Sequence, residues 1–265
     1  MPTPQTLPRL RRAAFAAALL APLALGAQTS ATAALHALVA PRFSGDSAFR
    51  TVAFLDRFVR WPGNRGFDAS IAHIAERLER AGYVREDRAG ADARLVYRVE
   101  RYPMAAPAWE PLGATLSIVG ETEPLLRFET NRNMLSTNSN ATPAGGVTAE
   151  LIDAGRGTAA EFDALDVRGK VVLVEVGAGR VFAEAVQKRG AVGVIGYALP
   201  AYLRPEKHRR SIQFGSVPRD TAGRGWGIQL SFEARERLRA AMARAAAAGA
   251  PLRVHVATDV RWTPD

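Results

Sequence analysis

Two apolar runs set about one helix apart constrain this chain more than any other feature. "KVVLVEV" (170–176) and "AVGVIGY" (191–197) are each of strand length and largely apolar at consecutive positions, the pattern of strands buried on both faces. Between them, residues 180–189 read as a helix that Gly190 closes. Parallel neighbours need such a crossover, because a tight turn cannot return the chain to the same edge. A buried parallel β-α-β unit is expected, with Val181, Ala185 and Val186 packed against both strands. The stretch from Phe162 to Tyr197 contains no serine, threonine, cysteine or histidine, so this best-patterned unit carries almost nothing reactive.

The flanking pattern extends an α/β chain in both directions. Residues 46–61 place Phe49, Val52, Leu55, Phe58 and Val59 at helical spacing before Pro62-Gly63. A second helix is expected from Phe67, Ile71, Ile74, Leu78 and Ala81, with Gly82 at its carboxyl cap. In 93–102, Leu95, Tyr97 and Val99 alternate with polar neighbours as in a half-buried strand. Further strands are expected over 114–120, 125–130 and 146–153, with "TNSNATPAGG" as an intervening turn. Thr158 and Glu161 form a capping box before a short helix. After a long loop (198–224), "GWGIQL" reads as a strand, and Ser231 caps a helix that ends at Gly249. In 251–262, Leu252, Val254, Val256, Val260 and Trp262 share one face. The strands at 93–102 and 251–262 are expected to pair, since an insertion between them would bring its two ends together.

The first 27 residues read as an export signal. Arg9, Arg11 and Arg12 precede the uncharged run 13–26, and Ala24, Gly26 and Ala27 offer small residues for cleavage. The run is too short to anchor the chain across a bilayer, so the expectation is a secreted or periplasmic protein without a stable membrane anchor. Residues 28–45 read as a flexible leader. Removing the signal lowers the formal charge from +9 to +6. The basic residues are scattered except in "RPEKHRR" (204–210), which reads as a solvated loop rather than a nucleic-acid face. With no cysteine, packing alone must hold the fold.

Candidate chemistry is sparse. The histidines His36, His73, His208 and His255 include no H-E-x-x-H pair; His73 lies three residues before Glu76, a spacing that could present two ligands but is more commonly a surface histidine beside a surface acid. Ser216 has no G-x-S-x-G setting and no evident base. Gly155-Arg156-Gly157-Thr158-Ala159-Ala160 does fit a dinucleotide fingerprint, with Glu175 at the distance of a ribose-binding acid. The helix it opens is hardly two turns long, and the same glycines serve a turn. No catalytic, cofactor-binding or metal-ligating residue is assigned.

Asp166-Val167-Arg168-Gly169-Lys170-Val171-Val172-Leu173-Val174, followed by Ala185, Gly190, Ala191, Gly193, Val194, Ile195 and Tyr197, resembles the core of a protease-associated (PA) domain. "GGVTAELIDAGRGT" resembles the strand and turn that precede it. The wider layout, with Gly63 to Gly66 and Leu78 to Tyr83, is similar to the front half of secreted di-zinc aminopeptidases that carry a PA insert. The resemblance implies helices and a first strand of an incomplete peptidase sheet over 46–103. It places a β-rich α/β PA domain over 104–250 and a returning peptidase strand over 251–265. It also implies a peptide or protein substrate and docking against the rest of a peptidase domain. The family's His-x-Asp and Glu-Glu zinc motifs do not occur here. Zinc is therefore expected only in a catalytic domain outside this chain, which alone is expected to be inactive. The alternatives are a free-standing exported PA module that binds peptides or proteins and, further off, a nucleotide-cofactor-binding protein.

Overall fold

The structure, a computed structural model, describes residues 32–264; the signal reading and the first residues of the leader fall outside that range. The described residues belong to two compact units, one ending at Arg57 and one beginning at Phe58. In the first, residues 32–39 are helical with every residue exposed, regular structure that the leader reading did not anticipate. Helix α1 (Gly45–Leu55) starts at Ser44, whose side chain accepts the Ser47 N–H. It stops six residues short of the expected end, and Phe49 and Val52 stay exposed. The rest of the expected stripe belongs elsewhere: Val59, with Trp61, packs on the core of the second unit.

In the second unit, α2 (Arg65–Arg80) begins at Asn64, which is buried. The Asn64 side chain accepts the Phe67 N–H at 2.9 Å and donates to the Trp109 carbonyl at 3.2 Å, fixing the helix start to the sheet. A Cβ at Gly66 would run into the Val59 carbonyl, which accounts for the glycine there. Gly82 adopts φ +89°. The N–H of Gly82 reaches Glu79 and that of Tyr83 reaches Leu78, the hydrogen bonds of a Schellman close.

Strands β1 (Val84–Arg85) and β2 (Val96–Tyr97) pair only with each other, in parallel. The other seven strands are β3 (Ala108–Ile118), β4 (Leu126–Arg127), β5 (Val147–Asp153), β6 (Val171–Val174), β7 (Gly193–Gly196), β8 (Gly227–Gln229) and β9 (Arg253–Thr263). They form one mixed sheet in the order β4-β3-β9-β5-β6-β7-β8. Its β4-β3-β9-β5 half is antiparallel and its β5-β6-β7-β8 half parallel. This corrects the expected pairing of 93–102 with 251–262. Both edges of β9 are already taken by β3 and β5, so 93–102 has no place beside it, and Leu95 and Val99 remain exposed. The segment 251–262 contributes β9, an inner strand of the seven-stranded sheet.

Strand β3 shows why the sequence revealed only part of it. Trp109 and Pro111 point inward before Leu112, and Ala114, Leu116 and Ile118 point inward after it. The ladder to β9 skips a register at that point: Pro111 faces Val260 and Gly113 faces Asp259. One inserted residue moves the buried set from odd to even positions, so no single alternation spans the strand.

The parallel strands divide their side chains between two cores. Val171, Leu173 and Ile195 join Leu116, Val254, Val256 and Ile228 on one side, together with Ala234, Leu238 and Ala241 of helix α5 (Phe232–Ala247). Val172, Val174 and Val194 face the other side. There they meet α3 (Ala159–Asp163) through Phe162 and meet α4 (Ala178–Phe182) with its π-helical continuation, Ala183–Lys188. Val181, Ala185 and Val186 are buried in that second core, as the helical spacing required.

The start of the segment expected as an intervening turn is an internal polar plug. Ser136, Thr137 and Ser139 are buried, and Leu135 bridges to Ile228 beside β8. The Trp109 indole N–H donates to the Ser139 carbonyl at 2.9 Å, the Gly227 N–H to Ser139 Oγ at 3.0 Å, and Gln229 Nε2 to Ser136 Oγ at 3.1 Å. Small polar side chains here satisfy backbone groups that the edge strand would leave unpaired.

Replacing Ile195, fully buried between β6 and β8, separates a packed core from a tolerant surface. Ile195→Val is expected to cost about 1 kcal/mol. Ile195→Asp, which buries an unpaired charge, is expected to abolish cooperative thermal unfolding. A melting temperature unchanged in the aspartate variant would remove β7 from the core.

Candidate functional site

Because β9 and β4 run opposite to the other five strands, the carboxyl ends of β3, β5, β6, β7 and β8 share one edge of the sheet. In open α/β sheets ligands bind at that edge. Asp153 ends β5, Glu175 follows β6, and Tyr197 follows β7. Helix α5 starts just after β8, where Ser231 Oγ accepts the Ala234 N–H at 3.1 Å, and its arginines reach these groups. Arg235 Nε meets both oxygens of Glu175 at 3.1 and 2.9 Å, and its guanidinium lies 4.9 Å from the centre of the Tyr197 ring. Arg239 donates to Glu175 at 2.6 Å and also pairs with Asp153. Farther along, Arg237 and Arg244 both hold Glu121, just beyond β3, at 3.1 and 3.0 Å.

The acids at the ligand-binding edge are therefore engaged by cations of the same chain. Burial raises the Tyr197 hydroxyl above its ordinary range, and nearby Arg235 opposes that shift. None of this is the geometry of a free base beside a nucleophile; it fastens α5 across the strand ends. Glu175, which stands at the distance of a ribose-binding acid from the glycine turn, is engaged in this ion-pair network.

The glycine turn has the same outcome. Gly155 and Gly157 take φ +56° and +69°, and the amides they free are aimed at Glu161. Its carboxylate accepts from the N–H of Arg156 at 3.1 Å and from the N–H and hydroxyl of Thr158 at 2.7 Å each. A Cβ on Gly155 would strike that carboxylate. The cradle that would take a pyrophosphate is thus filled by an anion of the protein. These bonds, first among them the backbone N–H of Thr158, hold the Glu161 pKa below its ordinary value. Because the folded-state pKa is the lower one, the stabilisation is complete above the ordinary glutamate value of 4.5 and is lost as pH falls through the depressed pKa. Glu161→Gln should therefore lower the melting temperature at neutral pH, and its deficit should shrink in acid. A deficit independent of pH would contradict the cradle's electrostatic role.

The histidines have unrelated local settings. Glu76, the possible co-ligand of His73, is paired with Arg80. His255 Nδ1 shares a 2.9 Å hydrogen bond with Thr148 Oγ1 across the β5–β9 ladder. His208 lies in the basic loop and His36 in the first unit. Among the described residues no three His, Asp or Glu side chains converge as metal ligands. Ser216 is exposed, and its carbonyl is packed so close to Gly179 that no Cβ would fit there. No helix of the described residues is long and apolar enough to cross a membrane.

An open cleft of about 560 Å³ is lined by Asn131, Lys207, His208, Arg209, Arg210, Ser211 and Glu233. It joins the first turn of α5 to the loop after β7. Sequence reasoning registered its charges without seeing that they share a wall.

No family model matches the chain, and no curated protein does. Among solved structures it is similar to an aminopeptidase from Aneurinibacillus sp. strain AM-1, at 21% identity and a TM-score of 0.45, over 84% of this chain and 46% of that one. It is similar to BSAP, a zinc aminopeptidase from Bacillus subtilis, at 19% identity and a TM-score of 0.47, over 82% of this chain and 44% of that one. A peptidase precursor from Shewanella amazonensis gives 15% identity and a TM-score of 0.46, over 81% and 47%. The chain spans less than half the length of each of these solved chains.

Proposed function

We propose that this chain is the non-catalytic amino-terminal and PA portion of an exported zinc-dependent aminopeptidase, in which the PA domain governs substrate access or protein contact. The observation that carries this reading is the fit of the PA-like motif to the fold. Lys170 to Val174 enters and forms β6, the segment from Ala178 to Lys188 is the crossover helix with its π turn, and Gly193 to Tyr197 forms and leaves β7. A second observation supports the peptidase half. Ile71 and Ile74 of α2, with Val84, Leu95, Val96 and Val99 around the β1–β2 ribbon, leave apolar side chains in solvent. Such grouped exposure marks a surface that another structure covers. Peptide hydrolysis belongs to the parent protein in this reading, with the zinc ligands, the base and the substrate groove supplied by its catalytic domain.

One observation favours the alternative, a free-standing exported PA module: β9 completes the PA-like sheet from within the chain, so the domain is not short of a strand. The two readings differ in what they expect of the exposed faces. The front half of a peptidase should self-associate through them, and Ile71→Glu with Ile74→Glu should return it to monomer in sedimentation analysis. A chain that is monomeric at every concentration without those changes would favour the free-standing module. In either case the purified chain should retain no stoichiometric zinc after dialysis and should not hydrolyse a fluorogenic leucine amide. Hydrolysis in the resembled enzymes needs a metal-generated hydroxide and a carboxylate to take its proton. Tightly held zinc with chelator-sensitive hydrolysis would make the chain an enzyme in its own right.

A further inference from the structure

The loop between β7 and β8 holds cations that no acid of the described residues neutralises in an ion pair. Arg204, Lys207, His208, Arg209 and Arg210 are all exposed. The arginines at 235, 237, 239 and 244 on the neighbouring helix each have a carboxylate partner. The loop is also fixed in place. Pro205 and Ile212, on either side of the basic run, are buried. Asn131 Nδ2 donates to the Arg210 carbonyl at 2.9 Å, Asn133 Nδ2 to that of Ile212 at 3.2 Å, and the Glu233 N–H to that of Arg209 at 2.9 Å. Arg209 lies 4.8 Å from the centre of the Phe232 ring, and Arg204 sits in the left-handed region at φ +49°. A purely solvated loop needs no such set of anchors; these fix the backbone that carries Lys207, His208 and Arg210 to the wall of the cleft.

We propose that this cleft docks an acidic polypeptide segment. Lys207 and Arg210 meet its carboxylates and His208 offers a further donor. Glu233, the one acid of the lining, faces its backbone N–H groups. The mixed lining selects this partner. A phosphodiester backbone presents only acceptors, which Glu233 would repel, and the positive charge is confined to one loop instead of tracking along a face as nucleic acid requires. A peptide offers carboxylates and N–H donors together. Tyr202 and Phe214, exposed on the same loop, give apolar side chains of such a segment something to lie against. The inference stands on this loop alone and does not depend on the peptidase reading.

The test is fluorescence anisotropy of the purified chain with a labelled glutamate-rich dodecapeptide. A lysine-rich peptide, an uncharged peptide and a single-stranded oligonucleotide serve as comparisons. Selective binding of the acidic peptide, weakening as salt is added, is expected. The double variant Lys207→Glu with Arg210→Glu should weaken it by about tenfold or more, with an unchanged melting temperature because both side chains are exposed. Arg156→Glu, a charge reversal outside the cleft, should leave it unaltered. Absence of binding, equal binding by the double variant, or tighter binding of the oligonucleotide would each overturn the proposal.

Discussion

The placement of β9 is the constraint on which the rest of this structure depends. It pairs along its length with β3 and over its first turns of ladder with β5, antiparallel to both. It thereby joins the two halves of the sheet. Without it, the antiparallel pair β3–β4 and the parallel run β5 to β8 would each present a free edge, and exposed edges invite pairing with other chains. Its inward residues Val254, Val256 and Thr258 also lie opposite Ile118, Leu116 and Ala114, which places β9 within the first core. The chain between β9 and its partners, 154–252 from β5 and 119–252 from β3, must therefore be organised before this strand can find both, a non-local arrangement of the kind that folds slowly.

With β9 in place, five strands end along one edge, and helix α5 is fastened over that edge by arginines. The arrangement explains an apparent paradox in the chain's chemistry. The position where α/β sheets gather ligands is rich in carboxylates, yet those carboxylates are bound by Arg235, Arg237, Arg239 and Arg244. The pairs around Glu175 and Asp153 are only partly exposed, so solvent screens them less than ordinary surface pairs. Removing one carboxylate would leave two guanidinium groups competing for fewer acceptors. The same economy appears at the glycine turn, where Glu161 satisfies the amides that a bound phosphate would otherwise meet. The cations of the loop after β7, by contrast, face outward.

Several features were legible from local pattern because local physics decides them. The β6-α4-β7 unit followed from apolar run length and helical spacing. The capping residues Thr158 and Ser231 followed from backbone groups that a helix end must satisfy. Gly82 followed from the positive φ at which α2 closes. The absence of paired histidines and zinc motifs could also be read directly, since it is a property of the residue string. The identity of the candidate cleft could not, because its wall draws Asn131 from one connection, the basic run from another and Glu233 from a helix.

What the sequence determined by itself, then, is the secondary structure where one periodicity persists and the caps that end it. Tertiary structure decided everything that depended on which distant strand came to lie beside which. Alternation in 93–102 and in 251–262 looked equivalent, but only the second found two partners; the first keeps Leu95 and Val99 in solvent. The bulge at Leu112 hid half of β3 because a single inserted residue reverses the buried parity. Thr137 to Asn140 read as a turn because small polar residues suit both solvated turns and buried plugs, and only the neighbouring carbonyls and amides distinguish the two. Pairing and burial are properties of the folded neighbourhood, and a one-dimensional pattern fixes which faces can be buried without fixing what buries them.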